Sequence, residues 1–138
     1  MKRDQTRTEW IRNMKFKTDL PGGQVIYDSD TDVGGEGDGL RPKATMLGAL
    51  AGCTGMDVIS VLKKMRAEFD AVRIEVDGEL TDDHPKIYHT VEVRYYFSGA
   101  NLDKSKIEKA VDLSVNRYCG VYEMFNAFAK VNHSINYE

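Results

Sequence analysis

The stretch from Pro42 to about Ala67 constrains the fold more than any other part of the chain. It reads PKATMLGALAGCTGMDVISVLKKMRA and holds no second proline. Pro42 suits the first turn of a helix, where its missing N–H costs nothing. Met46, Leu47, Leu50, Cys53, Met56, Val58, Ile59, Val61, Leu62 and Met65 leave almost no polar face before Lys63. A helix that is apolar all round is expected to be buried. About 25 residues is too long for a strand and spans roughly 37 Å by helical rise. A chain of 138 residues can hardly cover such a helix alone, so folding tied to a second copy is expected.

The flanking segments read as strands and shorter helices. Residues 4–18 form a strand in which Trp10, Asn13 and Phe16 break the alternation, so a bend or bulge is expected there. Leu20-Pro21-Gly22-Gly23 is a turn, and Gln24 to Asp28 completes a hairpin. Val72, Ile74 and Val76 alternate with Arg73, Glu75 and Asp77, which is the pattern of a half-exposed strand. Residues 87–97 alternate again after a turn at Asp82 to Pro85, so the pair predicts an antiparallel hairpin. Asp103 is the expected N-cap of a second long helix that runs through Cys119, with Gly120 as its C-cap. Val121 to Ala129 reads as a shorter helix and Val131 to Tyr137 as a closing strand. The order is ββ-α-ββ-αα-β. The fold class is α+β, with two long helices packed with antiparallel sheets in a single domain over residues 1–138.

The formal net charge is −3 with both signs mixed along the chain, so no basic face predicts a nucleic-acid partner. No apolar run approaches the ~20 residues needed to cross a bilayer. The N-terminus MKRDQTRTEW has no apolar core of a secretory signal. No membrane partner and a cytoplasmic location are the expectation. In that compartment thiols stay reduced, and a disulfide that forms tends to be catalytic or redox-sensing.

The Asp- and Gly-rich run DSDTDVGGEGDGL predicts a loop. It reads as a solvated linker, as a lid over a site at the following helix, or as a calcium loop. The last fits poorly, because no Glu closes an EF-hand there. His84, His89 and His133 fall in a turn, on a strand face and in the last strand. No HxxxH or CxxC spacing occurs, so no metal site is expected.

The two cysteines carry the chemistry. Cys53 lies mid-helix in Ala-Gly-Cys-Thr-Gly, with Gly48, Gly52 and Gly55 near it. Glycine in a helix interior costs ~1 kcal/mol relative to alanine, so these residues predict the close approach of another backbone. The plainer reading is a small core cysteine among small residues. Cys119 is expected at a helix C-terminus, where orphan carbonyls disfavour a thiolate. That suits a resolving thiol better than a first nucleophile. Asp57, one turn after Cys53 on the same face, also disfavours a thiolate. A cation from elsewhere is therefore needed, and Arg41, Lys43 and Arg12 are the candidates.

The segment from Arg41 through Lys64, centred on Ala-Gly-Cys-Thr-Gly-Met-Asp-Val, resembles the signature helix of the OsmC/Ohr family. Ala-Val-Asp-Leu-Ser-Val-Asn-Arg-Tyr-Cys-Gly-Val around Cys119 resembles its second cysteine motif. The resemblance covers nearly the whole chain. It implies an intertwined homodimer of the domain-swapped type, with two sites at the subunit interface. It also implies a peroxidatic Cys53 and a resolving Cys119, a peroxide substrate, and recycling by a thiol reductant such as a dihydrolipoyl protein. No cofactor is implied. The better studied peroxidases carry an arginine before the long helix and a glutamate right after its first proline. Here Lys43 follows Pro42, the preceding loop has no arginine, and Glu36 is an acid on that loop.

Three functional readings follow. The first is a thiol-dependent peroxidase in a stress or detoxification response, reducing organic hydroperoxides or hydrogen peroxide through Cys53 and Cys119. The second is a non-enzymatic dimeric module that binds a small apolar or sulfur-containing ligand near the cysteines, helped by Met46, Met56, Met65 and Met124. The third is a stress-related structural protein with inert thiols.

Overall fold

The computed structural model describes every residue from Met1 to Glu138. Six strands and three helices run in the order β1 Arg7–Arg12, β2 Lys15–Leu20, β3 Gly23–Tyr27, α1 Pro42–Lys64, β4 Ala71–Leu80, β5 Tyr88–Ser98, α2 Lys104–Leu113, α3 Gly120–Asn126 and β6 Lys130–Tyr137. The class is α+β, as expected. The chain forms two compact units, Met1–Met46 and Leu47–Glu138.

The first unit is a three-stranded antiparallel sheet in the order β1-β2-β3. The expected single strand over 4–18 is in fact a hairpin. Asn13 takes a positive φ of 49° and its carbonyl accepts the Trp10 indole N–H at 2.8 Å. Asparagine tolerates that left-handed backbone, so it turns the chain where the broken alternation predicted only a bend. The following Asp/Gly-rich run is built around a buried carboxylate rather than left as a solvated linker. Asp28 accepts the backbone N–H groups of Ser29, Glu36 and Asp38 at 2.8, 3.1 and 3.2 Å.

The second unit holds the core. Its sheet runs β4-β5-β6. The β4/β5 hairpin is antiparallel, and its alternating burial follows the sequence pattern. The closing strand β6 lies parallel to β5, so this sheet is mixed rather than wholly antiparallel. Leu50, Val58 and Leu62 of α1 join Val91, Val93, Tyr95 and Phe97 of β5 in one core. Ile107 and Val111 of α2 and Phe125 of α3 complete it. Gly78 of β4 makes room for this packing: a Cβ there would sit 2.6 Å from the Tyr88 ring.

Helix α1 departs from expectation. It buries only the stripe Leu50, Thr54, Val58 and Leu62, spaced four apart. Its opposite face lies open in the single chain, with Met56 77% exposed. By length and composition alone α1 is long and apolar enough to cross a bilayer, although no unbroken apolar run within it approaches that length. Its buried stripe nonetheless belongs to the core of the second unit.

The second long helix is also corrected. Asp103 caps it as predicted, accepting the Lys106 N–H at 3.2 Å. Helix α2 then ends at Leu113, and a π-helical turn follows over Ser114–Tyr118. The Cys119 N–H closes that turn on the Ser114 carbonyl at 2.9 Å.

Candidate functional site

Two elements bring the site together. Helix α1 carries Cys53, Thr54 and Asp57, and Cys53 and Asp57 share a face because four residues are about one turn. The π turn inserts extra backbone before Cys119, a device that recurs at functional sites. As a result Sγ of Cys53, Sγ of Cys119 and a carboxylate oxygen of Asp57 all lie within 4.8 Å of one another. Both cysteines are free thiols; Cys53 is half-buried and Cys119 buried.

Cys119 does not end a helix, as the sequence reading expected. Its backbone is extended and it is the N-cap of α3, with Sγ accepting the Tyr122 N–H at 3.3 Å. Gly120 is accordingly the first residue of α3 and not a C-cap. The helix end beside this thiol thus has the opposite sign to the one predicted. Burial still dominates. It pushes the Cys119 thiol up to about 12, against the lowering effect of the Tyr122 N–H and with help from Cys53 and the negative charge of Asp57.

A chain of buried hydroxyls backs the carboxylate. The Ser114 hydroxyl reaches Asp57 Oδ2 at 3.2 Å. Thr54 Oγ1 lies 2.7 Å from Ser114 Oγ and 2.7 Å from Tyr95 Oη. An ionised carboxylate only accepts hydrogen bonds, which sets the direction of the chain. Ser114 donates to Asp57, Thr54 to Ser114, and Tyr95 to Thr54. Burial raises Tyr95 well above the usual phenol range, although the Thr54 hydrogen bond acts the other way. It therefore stays a donor at neutral pH.

Two openings reach the cluster. A cavity of about 440 Å³ is lined by Asp57, Ser60, Val61, Lys64, Leu113 and Tyr118. A second, of about 390 Å³, is lined by residues 115–120 and Glu123, and so includes Arg117 and Cys119. The Arg117 guanidinium lies 5.8 Å from the Tyr118 ring centroid.

The remaining candidates have other partners. Arg12 pairs with Glu36 at 3.0 Å, and the same carboxylate takes Lys15 at 3.3 Å. Arg41 is held by Asp30 and by the Gly39 carbonyl. Lys43 is exposed on the first turn of α1. Sequence reasoning missed Ser114, Thr54, Tyr95, Lys64 and Arg117. Thr54 and Lys64 lie inside the first cysteine motif and Ser114 and Arg117 inside the second, which was the available hint; Tyr95 lies in neither.

Two thiolates and a carboxylate at this spacing could occupy three positions of a tetrahedral zinc site. Both thiols would have to ionise first, which the burial of Cys119 opposes. The arrangement equally brings two thiols near enough to join after a modest rotation.

The second unit is thus an α+β domain that gathers two thiols and one carboxylate beneath a π turn. The chain belongs to the OsmC-like protein family, whose sequence model matches residues 35–134. It is 27% identical over 132 residues to Protein YhfA of Escherichia coli strain K12, covering 94% of this chain and 95% of that protein. A hypothetical protein from Aquifex aeolicus VF5 superposes with a TM-score of 0.83 at 28% identity, over 100% of this chain and 99% of its own. An organic hydroperoxide resistance protein OsmC from Legionella pneumophila shares the fold, with a TM-score of 0.72 at 16% identity, over 99% and 98% of the two chains.

Proposed function

We propose that the protein is a thiol-dependent peroxidase that reduces organic hydroperoxides or hydrogen peroxide and works as a homodimer in the cytoplasm. The observation that carries this reading is the approach of Cys53 and Cys119 with Asp57 to within 4.8 Å. The Cys53 thiolate attacks the O–O bond of the peroxide. The terminal OH passes to sulfur, so that Cys53 becomes a sulfenic acid, and the departing alkoxide or hydroxide leaves as alcohol or water by taking up the proton that Cys53 lost on ionising. Cys119 then displaces the sulfenic oxygen as water, and a dithiol reductant restores both thiols. The half-buried Cys53 is the accessible partner; the buried Cys119, high in pKa, is the resolving one. The Legionella protein's association with organic hydroperoxide resistance supports the choice of substrate class.

The homodimer reading is supported by the open face of α1. Met46 and Met56 are exposed, and beyond the adjoining backbone of α1 itself no atom lies within 4 Å of where a Cβ would sit on Gly48 or Gly52. A partner backbone would account for both.

A ligand-binding module is the second reading. It is favoured by an open groove of about 640 Å³ along Gly52, Gly55, Met56, Ile59, Ser60 and Lys63. Stoichiometric titration separates the two. Cumene hydroperoxide should consume both thiols of each chain and yield a Cys53–Cys119 disulfide by peptide mapping. In Cys119→Ser a trappable sulfenic acid should remain on Cys53. Thiols that survive excess peroxide, together with a copurifying apolar molecule, would favour the module.

A further inference from the structure

Disulfide formation in this site has a proton problem. Cys119 is buried among Tyr122, the π turn and α1, and its thiol must lose a proton to become a nucleophile. The oxygen leaving Cys53 must gain one. One group in the cluster can accept and return a proton while lying within 4.8 Å of both sulfurs, and that is the Asp57 carboxylate.

We propose that Asp57 is a catalytic proton carrier for the resolving step: it takes the proton of Cys119 as the two sulfurs join, and hands it to the group leaving Cys53. In Cys53–SOH plus Cys119–SH, the S–O bond breaks and the S–S bond forms. The Cys119 sulfur is oxidised, the Cys53 sulfur is reduced, and the carried proton leaves with the hydroxyl as water. The proton moves as the S–S bond forms, because a free thiolate at Cys119 would be costly in advance. This rests on the reading of the pair as a redox dithiol.

Geometry supports the assignment independently. Asp57 is not a bystander on an exposed turn; it is half-buried and gripped by the Ser114 hydroxyl at 3.2 Å. Ser114 in turn anchors the π turn that presents Cys119, through its carbonyl. The Tyr95–Thr54–Ser114 chain terminates on this carboxylate and keeps it aimed while its charge changes. The cavity beside it gives the released water an exit. The charged or titratable groups around Asp57 are Cys53, Cys119, Lys64 and Tyr118, with Tyr95 behind the hydroxyl chain.

The test uses one equivalent of dithiodipyridine on the reduced, full-length protein, so that peroxide is not needed. Capture of Cys53 releases one pyridine thione, and attack by Cys119 on the mixed disulfide releases a second. Asp57→Asn should leave the first phase as fast or faster, since a negative charge near Cys53 is gone. It should slow the second at least about tenfold, and Asp57→Glu should recover part of the loss. In the unaltered protein the second phase should stay nearly level from about pH 6 to about pH 9. A second phase equally fast in Asp57→Asn would overturn the assignment, as would an unaltered protein whose second phase climbs tenfold per pH unit or never occurs. Should the variant not fold, the pH profile of the unaltered protein decides. Thiols inert to peroxide, combined with a normal Asp57-dependent second phase, would sink the peroxidase reading while leaving the proton carrier standing.

Discussion

The Cys119 thiol accepts the backbone N–H of Tyr122 across 3.3 Å, so the residue proposed to resolve the disulfide is also the cap of α3. Capping and chemistry are separable by substitution. Serine offers a better cap than sulfur and should hold α3 at least as firmly. Alanine leaves the N–H without its partner and should cost about 0.5–2 kcal/mol. Chemical denaturation of the two variants side by side measures the difference. Equal stability of Cys119→Ser and Cys119→Ala would mean that the contact contributes nothing to α3.

Stability should fall in alkali because of the same residue. The folded Cys119 titrates at about 12, above its ordinary value of 9.0. Between those values the folded chain holds a proton that the unfolded chain has lost. The stabilisation is therefore complete below the ordinary value and is lost progressively as pH rises toward the folded one. Tyr95 and Tyr122 are raised by burial too and act in the same sense. Melting temperatures of the parent and Cys119→Ser should accordingly diverge above about pH 9, the parent falling faster. Parallel curves would count against a buried, neutral Cys119.

Thr54 sits at the junction of the hydroxyl chain, fully buried, between Tyr95 and Ser114. Thr54→Val keeps the shape and deletes the junction, leaving two buried hydroxyls short of a partner. A loss of about 1–3 kcal/mol is expected, against a smaller loss for Thr54→Ser. Thermal unfolding of both variants checks this, and the reverse ranking would show that only the methyl group matters.

Met56 is 77% exposed on the open face of α1. If a second copy covers that face, Met56→Glu should weaken association by burying a charge. Sedimentation at micromolar concentration should give twice 15.6 kDa for the parent and a lower mass for the variant. A parent that sediments as a folded single chain would remove the dimer from the proposal.

Local, periodic signals were legible in the residues themselves. Pro42 marks the start of α1, Asp103 caps α2, and the alternation of Val72, Ile74 and Val76 predicts β4. Each depends on neighbours within a turn or a pleat, so the order of residue types is enough to read it. The two cysteine motifs likewise pointed to Cys53 and Cys119. The environment of those thiols was not legible. A π turn adds a residue to a helix without a distinctive composition, and it moved Cys119 from a helix end of one sign to one of the other. Tyr95 and Ser114 lie 41 and 60 residues from Thr54 along the chain, and nothing local marks them as its partners. Hydrogen bonds at that separation exist only once α1, β5 and the π turn have packed. The partner of Asp57, and hence its part in the chemistry, was decided by tertiary structure, because a carboxylate's role depends on which groups surround it in space.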